Sequence, residues 1–142
     1  MKKKLVFFKA DNQNRKYFPI ANEGISAGFP SPAEDFKEVK ISIDQEVVKN
    51  ESATFYARVV GQSMEGAGLD DGDLLVIDRS QEAQTGKIAV CFIDGEFTVK
   101  RLKVEDNCVY LMPENPKYKS IKVDKEDELI IWGIVTYVVK KL

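Results

Sequence analysis

Residues Lys87 to Leu102 read KIAVCFIDGEFTVKRL, two apolar, β-branched and aromatic runs joined by Asp94-Gly95. A two-residue loop of this kind favours a type I′ turn. Both of its positions need φ > 0, which glycine adopts freely and aspartate tolerates better than most residues. The stretch therefore predicts a β-hairpin. On its second strand the two-residue period sends Phe97, Val99 and Arg101 to one face, and Thr98, Lys100 and Leu102 to the other.

Strand signals continue on both sides of the hairpin. Upstream, TFYARVV (54–60) alternates and LLVID (74–78) is a short apolar run. Downstream, NCVYLMP (107–113), YKSIKV (118–123) and the long ELIIWGIVTYVVKK (128–141) are separated by ENPK and DKEDE, which carry turn and charge signals. Six or more short strands with few helical patterns predict a mostly β, compact, strongly twisted all-β domain. The alternating apolar residues of the last strand suit either a core or an interface. The first fifty residues differ. FPIANEGISAGFPSPAEDF (18–36) carries Pro19, Pro30, Pro32, Gly24 and Gly28, and reads as an extended arm. PAEDFKEVK and DQEVVKN can each form a turn or two of helix, with Ser31 and Asp44 as N-caps.

At 142 residues the chain suits one domain with one core. No apolar run approaches the roughly 20 residues that span a bilayer, and Leu5 to Phe8 is shorter than the ~7 to 15 of a signal peptide's apolar core. The chain is accordingly read as cytoplasmic, with no membrane partner. Cys91, inside IAVCFI, is expected to be a buried free thiol, and Cys91 and Cys108 without histidine cannot complete an ordinary zinc site. LDDGDLLVID lacks the alternating ligand pattern of a calcium loop and reads as a turn entering a strand. No metal or cofactor is expected. Residues 1–27 hold six Lys or Arg against two Asp or Glu, a net +4, which leaves −6 for the remainder of a chain of net charge −2. That acidic body makes non-specific phosphate binding a weak hypothesis, and no direct sequence-specific DNA binding is expected. The basic arm has two readings, contact with nucleic acid or docking on its own acidic domain.

Within VGQSMEGAGLDDGD (60–73), Ser63 stands among glycines in a chain with no histidine. A serine so placed is ordinarily a turn residue. The absence of histidine removes the Ser-His-Asp triad, the Cys-His dyad and histidine-ligated metal catalysis together. A nucleophilic Ser63 would need a lysine or carboxylate as its base. Lysine, with an unperturbed pKa near ~10.4, is neutral in only about one molecule in 2,500 at pH 7, so burial must activate it. A shift of ~4 units by desolvation costs about 5 kcal/mol of folding stability, which points to a lysine emerging from an apolar strand. Lys100 is the best candidate, although most strand lysines simply face solvent.

GQSMEGAGLDDGDLLVID, followed by DGEFTVKRL and LMPENPKY and preceded by FPSPAEDF, resembles the Ser-Lys self-cleaving (S24-type) peptidase domain shared by LexA repressors, phage repressors and UmuD proteins. The resemblance runs from about Ser26 to Val139. It implies the fold of those domains, with Ser63 as nucleophile and Lys100 as general base. It also implies cleavage of the chain's own Ala27–Gly28 bond, whose small side chains suit an extended peptide in a cleft. Gln62 and Ser63 are then candidates for the backbone donors of an oxyanion hole. The division that follows is an arm at 1–27, a linker with short helical turns at 28–50, and a β-rich peptidase domain at 51–142.

The arm is rich in Pro, Gly and Asn and shows no pair of amphipathic helices, so the likeness is to UmuD more than to the DNA-binding repressors. What it implies is an SOS-response protein whose cleavage is stimulated by a RecA-single-stranded DNA filament. The trimmed homodimer would join a UmuC-like Y-family polymerase in error-prone translesion synthesis. The arm is more basic than that family leads one to expect. Three alternatives stand beside this reading: a signal-peptidase-like enzyme, which requires a membrane anchor; a prophage-type regulator that keeps the dyad but binds a repressor; and a catalytically silent β binding module.

Overall fold

In the computed structural model, residues 6–10, 15–21, 38–61, 65–124 and 128–142 are described. The hairpin forms as predicted, from β6 (Ile88–Ile93) and β7 (Glu96–Val104), with Ile93 facing Glu96 across the turn. Asp94 and Gly95 have φ values of 49° and 80°, the paired positive angles of a type I′ turn. Around it lie β4 (Thr54–Arg58), β5 (Leu74–Asp78), β8 (Cys108–Met112), β9 (Ile121–Asp124) and β10 (Leu129–Val139). With β1 (Val6–Lys9) they form one eight-stranded antiparallel sheet, ordered β1-β4-β5-β10-β6-β7-β8-β9. The mostly β architecture expected from the sequence is what the chain adopts.

Each face of this sheet carries its own core. Ala57, Val59, Leu69, Leu75, Ile77, Val90 and Val99 cluster on one face, and Ala89, Cys91, Leu102, Leu111, Val123 and Ile134 on the other. The period-2 alternation of the hairpin accounts for the partition, since Val90 and Val99 oppose each other on the first face while Ala89 lies opposite Lys100 on the second. Strand β10 sits at the junction, paired to β5 on one side and β6 on the other. A bulge between Ile131 and Gly133 changes its parity, so Ile131 and Ile134, three residues apart, both face the second core, while Trp132 and Val135 face the first. Alternation read from the sequence alone could not show that shift. Arg79 lies over the Trp132 ring at 4.4 Å and donates from Nε to the Trp132 carbonyl at 2.9 Å, tying β5 to the bulge.

The N-terminal region departs from expectation in three places. Glu38–Ile41 is a strand, β3, where a helical turn was expected for PAEDFKEVK; it pairs antiparallel with β2 (Phe18–Ala21). The pairing satisfies backbone groups that an isolated turn would leave to water. The short helix α1 (Ile43–Val47) does form, but its N-cap is Ser42, whose side chain accepts from the Gln45 backbone N–H at 3.4 Å, and Asp44 lies in the first turn. Ser31 lies outside the described residues. Finally, the apolar run Leu5 to Phe8, too short for a targeting segment, leads into the edge strand β1, Val6–Lys9. A four-residue strand offers too short a period to read.

Gly133 has no room for a side chain, because a Cβ there would sit 2.5 Å from Ile77 Cγ2 and 3.2 Å from Arg79 Cγ. Gly133→Ala should therefore destabilise the fold by about 1–3 kcal/mol through overpacking. Chemical denaturation of the two proteins measures this; equal midpoints would show that the bulge yields.

Candidate active site

Lys100 is 2% exposed, on the second face of β7, among the apolar residues that β6 and β8 contribute. Its Nζ donates to Thr98 Oγ1 at 2.5 Å and to the Val99 carbonyl at 3.2 Å. The orientation is the one the strand period predicted, and the solvent-facing alternative is excluded. Thr98 was not singled out from the sequence. The signal was present, however, because residues i and i+2 on one strand share a face, so T-x-K places a hydroxyl beside the amine.

The surroundings disfavour charge. Cys91, opposite Thr98 on β6, is a fully buried free thiol, as expected. Burial pushes it up from 9.0 to about 12, with the nearby Lys100 charge opposing the rise. Desolvation of this kind acts against any charged group held on this face.

The loop carrying position 63 is closed at its neck. Val59 N–H donates to the Asp73 carbonyl and Gly72 N–H to the Val59 carbonyl, both at 2.8 Å, and Gly61 N–H donates to Asp71 Oδ1 at 3.1 Å. Asp73, buried at the base, accepts from the Asp70 N–H at 2.8 Å and from Lys140 Nζ at 2.6 Å. The Asp70 carboxylate, then that of Asp73, holds the Lys140 ammonium above its ordinary range. LDDGD thus acts as the turn into β5 that its sequence predicted, with Gly72 at φ 91°. Among the described residues no group of acidic, cysteine or histidine side chains could hold a metal ion.

Gln62 and Ser63 lie outside the described residues, as do Ala27 and Gly28. The described residues on either side of position 63 are fixed to the body of the sheet. Gly61, at φ 115°, enters the segment, and a 3-10 turn at Glu65–Ala67 leaves it. Ala67 packs on the core cluster that contains Val99. Gly66 lies so close to Glu114 that a Cβ would be 2.9 Å from its carbonyl oxygen, and the Glu114 carboxylate pairs with Arg101, next to Lys100.

The sequence has counterparts among known proteins. Residues 19–136 match the family described as Peptidase S24-like. The chain is 40% identical over 136 residues to Protein MucA of Salmonella typhimurium, covering 94% of this chain and 92% of that protein. It is 39% identical to Protein SamA of Salmonella typhimurium, with 87% and 85% covered, and 36% identical to Protein ImpA of Escherichia coli, with 87% and 83% covered. These relatives are UmuD-like proteins. No helix among the described residues is long and apolar enough to cross a membrane.

The burial of Cys91 sets a simple expectation. Treated with iodoacetamide at pH 8, the native protein should take one label, at Cys108, and a second only after unfolding, as counted by intact mass. Because the folded thiol sits above its ordinary value, its contribution to stability is complete below pH 9 and is lost as pH climbs toward 12. Two labels on native protein would contradict the buried site.

Proposed function

Because the chain belongs to the Peptidase S24-like family, as a UmuD-like member, we propose that it is a self-cleaving serine peptidase in which Ser63 and Lys100 form the dyad and Ala27–Gly28 is the bond cut. The observation that carries this reading is Lys100 itself, a lysine buried on an apolar sheet face with a hydroxyl acceptor 2.5 Å from its amine. A structural role would not require a buried amine, whose desolvation costs stability.

Neutral Lys100 takes the proton of Ser63 as Oγ attacks the Ala27 carbonyl carbon. The oxyanion is met by the backbone N–H groups of Gln62 and Ser63. Collapse breaks the C–N bond, Lys100 returns the proton to the departing Gly28 amine, and an acyl ester links Ser63 to Ala27. Water, deprotonated by the Lys100 amine, then attacks the ester, and Lys100 returns that proton to Ser63 Oγ as the ester C–O bond breaks. Thr98 acts as a positioning residue by fixing the direction of the amine. A RecA-single-stranded DNA filament stimulates the reaction by favouring the state in which the arm is docked. The trimmed homodimer, residues 28–142, then serves a UmuC-like Y-family polymerase in SOS mutagenesis. Its relatives being UmuD-like supports this role over that of a repressor-binding regulator.

Incubation at alkaline pH, where more of the amine is neutral, should yield a fragment beginning at Gly28, followed by intact mass. Ser63→Ala and Lys100→Ala should each abolish it, and survival of cleavage in either would overturn the dyad. Thr98→Val should slow cleavage by about 100-fold and displace its pH-rate profile, with Thr98→Ser restoring both. A profile unmoved by Thr98→Val would remove the positioning role.

A further inference from the structure

Two strand pairings straddle the Ala27–Gly28 position. Strand β1 pairs with β4 from Val6 opposite Arg58 to Lys9 opposite Phe55, and the ladder continues with Ala10 N–H donating to the Thr54 carbonyl at 3.3 Å. Strand β2 pairs with β3 from Phe18 opposite Ile41 to Ala21 opposite Glu38, and Tyr17 OH donates to Gln45 Oε1 at 3.1 Å. In each pair the first strand precedes residue 27 and the second follows residue 28.

The first pairing also has a side-chain anchor. Phe7 packs between Trp132, at 4.7 Å between ring centroids, and Phe97, at 4.9 Å, in a group that extends to Phe55 and Phe92. Phe8, its neighbour, points away and is 51% exposed. Strand β4 has its other edge committed to β5, so β1 covers the one ladder edge it has left.

We propose that the β4 edge, with the aromatic cleft of Phe97 and Trp132, is a strand-addition site, and that β1 occupies it non-covalently. Severing the chain after residue 27 then leaves the arm seated, because the hydrogen bonds and the Phe7 contact do not pass through the cut. The occupant is the chain's own arm, a strand added to the β4 edge with Phe7 in the aromatic cleft. The choice of residue 27 as the cut rests on the reading proposed above; the strand-addition site does not.

The test makes the cut independently of the chain's own chemistry. In the full-length Ser63→Ala protein, the recognition sequence of a site-specific protease is placed between Ala27 and Gly28 and cleaved. Native mass spectrometry should find both fragments in one complex, separating in denaturant, with the fluorescence of Trp132 unchanged by the cut. Phe7→Ala should weaken retention at least about tenfold, while Phe8→Ala leaves it unchanged. A synthetic peptide of residues 1–27, added in excess, should displace the severed arm, and the same peptide with Phe7→Ala should not. Release of the arm on cutting, equal effects of the two phenylalanine variants, or displacement by both peptides would overturn the proposal. Failure of self-cleavage in the unmodified protein would bear only on the dyad.

Discussion

Strand β10 has to serve two cores at once. It is hydrogen-bonded to β5 and β6, so the half of the sheet that leads to the loop around position 63 and the half that carries Lys100 meet along it. A regular strand would commit every second residue to one face. The bulge at Ile131–Gly133 breaks that rule and lets Ile131 and Ile134 fill the second core, with Trp132 and Val135 filling the first. Gly133 is the residue that permits this, because Ile77 occupies the space a side chain would need.

The two-sided sheet is what makes the Lys100 environment possible. A lysine on a half-exposed strand would extend its amine to water. Here the second face is filled by Ala89, Cys91, Leu102 and Leu111, so the amine has the Thr98 hydroxyl and a backbone carbonyl close by. The cost of burying it is opposed by those hydrogen bonds and by the cohesion of the surrounding core. Meanwhile Leu69 anchors the neighbouring loop in the first core, and the Asp73–Lys140 pair closes its base. Leu69 and Ala67 thus tie the loop around position 63 to the first core, and contacts through Gly66, Glu114 and Arg101 link that loop to the strand that carries Lys100.

The arm is integrated to a degree that its composition concealed. Proline and glycine mark 18–36 as irregular, yet the strands at either end of the connection, β2 and β3, pair with one another. Pairing Ala21 with Glu38 offsets the entropy of closing the chain between them. The same economy applies to β1, whose short apolar run gains stability only from the edge and aromatic group it meets.

The sequence by itself determined the hairpin, since Asp94-Gly95 selects a turn type through local backbone sterics and the flanking runs have a two-residue period. It also bounded the chemistry available, because a chain without histidine leaves only a lysine or a carboxylate as the base for a serine nucleophile. That Thr98 and Lys100 share a face followed from the same period. Only the tertiary structure decided that this face is buried, that β10 changes parity at a glycine, and that Val6–Lys9 and Glu38–Ile41 are strands. Burial and edge pairing depend on residues distant in sequence, and a four-residue segment carries too little pattern to declare its partner in advance.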